Sequence, residues 1–171
     1  MMNFLIQPIL LLSFTVAYQQ EPLGEYWGTA ERESQYYRMV DVPLAEELAI
    51  EAGSFEVMPD GKQLAIATRR GDILLADGVF QKYPQPTFKT FASGLDEVFG
   101  MAYREGSFWV TQQTETTRIT DSNQDGKADQ FETLSDAWGF RHYHEFSFGS
   151  KPDADGNIWV ALCLSKSYHS D

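Results

Sequence analysis

The chain has 171 residues, of which 43% are hydrophobic, 14% aromatic and 22% charged, so it is long enough to bury the core of a domain. Its formal net charge of −12, from 25 acidic and 13 basic side chains, argues against nucleic acid or an anionic membrane surface as a partner, because both attract positive charge. The same charge suits a protein that binds cations in acidic loops, and equally one that is simply soluble.

The first residues form an apolar stretch that differs from the rest of the chain. Residues 4–16 are almost wholly apolar, and no charged side chain precedes Glu21. About thirteen apolar residues are too few to cross a bilayer, which takes roughly twenty. We therefore predict no transmembrane helix, a secretory signal peptide over residues 1–17, and export to the periplasm or the cell exterior. Membrane association through an uncleaved anchor, and a buried strand, are the alternatives.

The rest of the chain changes character near Met39. Residues 18–40 mix polar and aromatic side chains without a clean period, which favours an extended lead-in. Residues 41–171 consist of short β-prone runs separated by Gly, Pro, Asp and Asn clusters, which is typical of an all-β domain. The stretch 48–56 could also be read as a helix, but alternating apolar residues and Gly53 favour a strand.

A short unit recurs three times, in which a tight polar turn ends in glycine and leads into an apolar strand. The three glycines are Gly61, Gly106 and Gly156, so 45 and then 50 residues separate them. An apolar run also precedes each turn, so each turn should close a hairpin. A period of about forty to fifty residues is the spacing of propeller blades. The sequence therefore predicts a partial β-propeller of two to three blades, truncated relative to a full ring, and a β-sandwich is the alternative.

Residues 121–132 match the twelve-position calcium-loop pattern, in which a glycine at the sixth position allows a sharp turn and alternate side chains converge on one cation. A strand-like run precedes the loop, so a structural inter-strand calcium site is favoured over a helix-flanked sensor. The alternative is a solvated turn without metal. The predicted ligands are Asp121, Asn123, Asp125, the backbone carbonyl of Lys127, Asp129 and Glu132.

Two histidines lie close together in residues 141–145. If that segment is extended, His142 and His144 point to the same side. Histidine can take a proton from a substrate hydroxyl near neutral pH, and Arg141 could stabilise an anionic group. Paired histidines beside a tyrosine are as often packed on the surface, so these residues alone leave both interpretations open.

The stretch 143–162 resembles the active-site segment of the soluble glucose/sorbosone dehydrogenases. In that family a histidine precedes a strand, a Gly/Asp turn and a second strand of aromatic and aliphatic residues, which is the order found here. The family consists of six-bladed propellers that hold pyrroloquinoline quinone above a central channel. The resemblance implies that His144 is the general base that removes the sugar hydroxyl proton while hydride passes to the quinone.

Over residues 37–168 the chain looks like the large exported bacterial propellers of the membrane-bound dehydrogenase type. The implied function is the N-terminal part of an exported sugar or polyol dehydrogenase that uses pyrroloquinoline quinone and calcium, inactive until C-terminal blades complete the channel. The alternatives are a non-catalytic, calcium-stabilised propeller that binds carbohydrate or protein, and an inactive truncated product. The residues implied to line the cofactor site are Arg69, Glu97, Arg141, His142 and Glu145.

Overall fold

The computed structural model describes residues 33, 35–45, 48–139 and 144–163. The chain divides into two units, residues 1–39 and residues 40–171. In the described part of the first unit, the amides of Tyr36 and Tyr37 donate to the carbonyl of Glu33 and close a turn. The predicted signal peptide, residues 1–17, lies outside the described residues. Within the described ranges, no helix has the length and apolar character needed to cross a membrane.

The second unit is all-β, as the sequence predicts. Its described residues contain ten strands. In chain order they are β1 (Ala52–Val57), β2 (Gln63–Thr68), β3 (Ile73–Asp77), β4 (Thr87–Ala92), β5 (Gly100–Arg104), β6 (Ser107–Thr111), β7 (Thr116–Thr120), β8 (Gln130–Ser135), β9 (Ser147–Pro152) and β10 (Ile158–Leu162).

The ten strands form two sheets. Strands β1 to β4 form a four-stranded sheet in which each strand is antiparallel to the next. Strands β5 to β8 repeat this arrangement in the second sheet. The β9–β10 hairpin joins that sheet through a parallel contact between β9 and β5, which gives the order β10-β9-β5-β6-β7-β8.

The three glycine turns close hairpins, as their sequence predicts. They connect β1 to β2, β5 to β6 and β9 to β10. Gly61, Gly106 and Gly156 have φ angles of 68°, 81° and 90°, a left-handed conformation that glycine adopts without steric cost. The stretch 48–56 is a strand only from Ala52 onward, and the preceding residues have no regular structure.

The main core lies between the two four-stranded arrays. Its centre is Phe108 on β6, which is fully buried. The Phe108 ring packs edge-on against Phe91 of β4, with 5.1 Å between centroids, and against Tyr103 of β5, at 4.8 Å. The other buried members come from both sheets: Ala65, Ala67, Ile73, Ala92, Val98, Met101, Val110 and Ile119. This shared core fixes the two arrays as one packed body.

Strands β1, β5 and β9 lie side by side and run in the same direction. Near the start of β1, a Cβ on Gly53 would lie 2.0 Å from the Val98 carbonyl oxygen, so only glycine allows this approach. Near the end of β1, Glu56 accepts a hydrogen bond from the Tyr103 amide at 3.4 Å. We call the end where the three strands begin the proximal end, and the end with the glycine turns the distal end.

Candidate functional site

Polar and aromatic side chains from three segments meet at the proximal end. Arg69, in the β2–β3 turn, donates a hydrogen bond of 2.8 Å to the carboxylate of Glu97, which lies between β4 and β5. The Arg69 guanidinium carbon also lies 5.7 Å from the ring centroid of Phe99 and 5.8 Å from that of Phe146. The fold therefore brings together two of the residues singled out in the sequence, Arg69 and Glu97, although 28 positions separate them.

The contacts of Arg69 act against an unfavourable backbone conformation at Glu97. The hydrogen bond that Arg69 donates to Glu97 and, second to it, the charge of Glu97 raise the pKa of Arg69. Glu97 has a φ of 40°, a left-handed conformation that costs a non-glycine residue about 1–2 kcal/mol. The ion pair and the ring contacts hold Arg69 beside this turn and help offset its cost. The side chains of Arg69 and Glu97 are 46% and 26% exposed, so the pair remains accessible to a ligand.

His144 lies in an exposed turn two residues before Phe146 at the same end. Its backbone carbonyl accepts a hydrogen bond from Cys163 Sγ at 3.6 Å, which ties this turn to the end of β10. The neighbouring Glu145 is only 3% exposed, so its side chain lies in the protein interior. Of the other residues implied by the resemblance, Arg141 and His142 lie outside the described residues.

The predicted calcium loop connects β7 and β8 at the distal end. Asp121 and Asn123 both accept a hydrogen bond from the Asp125 amide, at 3.2 and 2.9 Å, so their side-chain oxygens lie on the same side of the turn. Asp121 also accepts from the Gly126 amide at 2.8 Å. The first half of the loop thus holds oxygen atoms around a tight turn, as a cation requires.

The second half of the loop does not complete the predicted ligand set. Glu132 lies within β8, where it is paired with Arg118 of β7. Asp129 accepts hydrogen bonds from the amide and the hydroxyl of Ser122, which lower its pKa. Among the described residues, no three His, Cys, Asp or Glu side chains are grouped as a metal site. The loop thus gathers Asp121, Asn123 and Asp125 in one turn, whereas Glu132 is paired with Arg118.

A groove of about 470 Å³ between strands β6–β8 and the β9–β10 hairpin of the second sheet is lined by three tryptophans. Trp138 Nε1 donates to the Gln113 carbonyl at 3.0 Å, and Trp159 Nε1 donates to Asp153 at 2.9 Å. Trp109 Nε1 is buried and has no hydrogen-bond acceptor among the described residues. The groove therefore offers the aromatic surface of three tryptophans.

No known protein family, curated protein or solved structure matches this chain. The resemblance to the glucose/sorbosone dehydrogenases accordingly depends on the residues quoted above.

Sequence reasoning missed the aromatic partners of Arg69 and the tryptophan groove. Phe99 directly precedes β5 and Phe146 directly precedes β9, so their equivalent places in the repeat were a usable signal. Trp109 is likewise the third residue of β6 and Trp159 the second residue of β10, within matching aromatic-aliphatic runs. The sequence alone did not reveal the turn conformations that place Phe99 and Phe146 beside Arg69 and gather the tryptophans around one groove.

Proposed function

We propose that residues 40–171 form two blades and the first hairpin of a third blade in a β-propeller. Two successive four-stranded antiparallel arrays support this, since a blade is such an array. The parallel, adjacent course of β1, β5 and β9 also supports it, because the innermost strands of neighbouring blades run in one direction around a channel. A β-sandwich has no reason to gather three parallel strands in this way.

Further blades would cover the apolar residues exposed on the two outward sides of this arc. On β1, Phe55 and Val57 are 56% and 53% exposed. On the β9–β10 hairpin, Phe148, Trp159 and Leu162 are 42%, 66% and 40% exposed. Apolar blade faces are normally buried against the next blade, so these exposed side chains favour a larger ring.

We propose that the complete protein is an exported sugar or polyol dehydrogenase that transfers hydride from a sugar hydroxyl to a quinone. The observation that carries this proposal is the convergence of Arg69, Glu97 and the His144 turn where the three inner strands begin. A channel mouth lined in this way combines a cation, a carboxylate and a candidate base.

The described residues fit one anionic group of pyrroloquinoline quinone, at the accessible Arg69 guanidinium. When bound, the quinone would supply the hydride acceptor. Arg69 would orient it through charge and hydrogen bonding, and the Phe99 and Phe146 rings that contact Arg69 would limit the movement of that side chain. His144, exposed beside this cluster, would accept the hydroxyl proton as hydride leaves the sugar carbon.

Quinone binding to this chain tests the proposal. We expect Arg69→Gln to weaken binding of pyrroloquinoline quinone about tenfold, which is the usual scale for losing a charged hydrogen bond. Arg104→Gln is the matched control, because Arg104 is also paired with a glutamate but lies at the distal end. Fluorescence titration would measure both affinities. Equal affinities for the two variants would contradict the proposed cofactor site.

A non-catalytic carbohydrate-binding role is the second candidate, and the tryptophan groove favours it. Aromatic faces stack on sugar rings, and three tryptophans line this groove. This function predicts that sugars quench tryptophan fluorescence while quinone does not bind. Binding of neither ligand would instead favour an inactive product.

We also propose that calcium binds in the first half of the β7–β8 loop, through Asp121, Asn123 and Asp125. The melting temperature should then be higher in calcium than in chelator, with a stabilisation of about 2–3 kcal/mol when calcium is about 100-fold above its Kd. Asp125→Ala should remove this difference. The control Asp60→Ala, in another exposed distal turn, should retain it. An unchanged melting temperature on chelation would refute the calcium site.

A further inference from the structure

A second cleft lies beside the β6–β7 turn and is separate from the residues assigned to quinone, sugar or calcium. Its volume is about 380 Å³. Gln112, Glu115, Thr117 and Thr133 form a polar wall, and Phe131 of β8 lies beside it. Gln112 and Thr117 are 6% and 3% exposed, so the polar wall is built into the fold and is not a chance meeting of surface side chains.

The polar side chains of this wall direct their hydrogen atoms at Glu115. Gln112 Nε2 donates to Glu115 at 2.9 Å and to Thr117 at 2.6 Å. The hydroxyl of Thr117 donates in turn to the same carboxylate oxygen, and that of Thr133 donates to the other oxygen at 3.2 Å. The Gln112 amide oxygen is occupied by the Asp96 amide at 2.6 Å. The donors of these three side chains are therefore used within the wall.

The wall consequently presents acceptors and negative charge. Within the described part of the chain, no basic side chain lies within 4.0 Å of the Glu115 carboxylate. A carboxylate oxygen can accept more than one hydrogen bond, and the Glu115 oxygen that faces Thr133 accepts one from the residues that the structure describes. A ligand with hydrogen atoms to donate and a positive charge satisfies both features, whereas an anion satisfies neither.

An aromatic ring completes the cleft. Phe131 is 50% exposed and lines the same space as Glu115. The face of an aromatic ring attracts alkylammonium and guanidinium groups, and attracts them more strongly when water is partly excluded. A carboxylate beside an aromatic ring therefore binds organic cations in preference to small metal ions, because small metal ions gain little from the apolar surroundings of the ring.

We propose that this cleft binds an alkylammonium or guanidinium group, with Glu115 as the charge partner and Phe131 as the aromatic face. The group could belong to a small amine or to a basic side chain of a protein partner. This inference does not depend on the proposed dehydrogenase function, because none of its residues belongs to the Arg69 site.

Titration of the chain with n-butylammonium, followed by the chemical shifts of the methyl and amide groups around the cleft, tests the proposal. We expect saturable binding that Glu115→Gln weakens at least tenfold and Phe131→Leu weakens about threefold. Glu105→Gln is the control, because it removes one exposed carboxylate at the distal end and leaves the cleft intact. Circular dichroism would establish that each variant is folded.

The two sources of the cation are separated by comparing n-butylammonium with N-acetyl-lysine methylamide, which carries the peptide groups of a protein side chain. Tighter binding of the lysine derivative would indicate a protein partner, and tighter binding of the free amine a small molecule. Equal binding to wild type and Glu115→Gln, or equal shifts with potassium at the same concentration, would overturn the proposal. If Glu115→Gln does not fold, Phe131→Leu is compared with wild type instead, and equal affinity for n-butylammonium would overturn the proposal.

Discussion

Replacing Phe108 with alanine should lower the free energy of unfolding by about 3–5 kcal/mol, the usual cost of removing a buried phenylalanine. Phe108 is fully buried and contacts an aromatic ring from each sheet, Phe91 on β4 and Tyr103 on β5. Its loss would leave a cavity at the point where the two arrays meet. Urea denaturation followed by circular dichroism would measure the change.

Phe80→Ala is the matched control for this prediction. Phe80 is 53% exposed and lies outside the core, so the same chemical change should cost well under 1 kcal/mol there. Similar losses for the two variants would mean that the arrays are not held together by the core around Phe108. A loss near 5 kcal/mol is comparable to the entire stability of many domains, so partial unfolding of Phe108→Ala in buffer would agree with the prediction.

Replacing His144 with alanine in the full-length protein should lower kcat for quinone-dependent sugar oxidation by about 10²–10⁴-fold, the usual contribution of a general base. His144 is exposed, so the melting temperature should hardly change. Added imidazole should restore part of the lost rate, because it can accept the same proton. Steady-state kinetics with a soluble electron acceptor would measure each quantity.

Lys151→Ala is the control for the His144 variant. Lys151 is exposed on β9, further towards the distal end than the His144 turn, and its replacement should leave kcat unchanged. Turnover that survives the His144 change, or a rate that imidazole does not affect, would show that another group accepts the proton. The proposal of a dehydrogenase would then need a different base.

The three hairpins could be predicted because their determinants are local. In each, a glycine that must adopt a left-handed conformation stands between two apolar runs, so turn and strands are specified within about fifteen residues. The start of β1 was less well defined, because Leu48 and Ile50 alternate like strand residues but pack instead against a second, smaller core cluster. Alternation reports which residues are buried and does not report what covers them.

The spacing of the calcium-loop motif indicates the local turn but not the position of its last residue, Glu132. Its spacing correctly indicated a tight oxygen-rich turn at Asp121–Asp125, since each bond there joins residues at most four apart. The position of Glu132 depended on β8 pairing with β7, which placed its carboxylate beside Arg118. The spacing of the motif carries no information about this cross-strand partner, and calcium binding by Glu132 stays a prediction.

The sequence by itself determined the all-β class, the hairpins and the residue types at the strand ends, because these follow from periodicity and turn chemistry. Only the tertiary structure decided that Arg69 meets Glu97 beside two phenylalanine rings, and that Glu115 lines a cleft with Phe131. These contacts join segments that the chain brings together only when the two sheets share one core. The strength of each contact depends on how deeply its atoms are buried and on the distances between them, and the order of residues along the chain gives neither quantity.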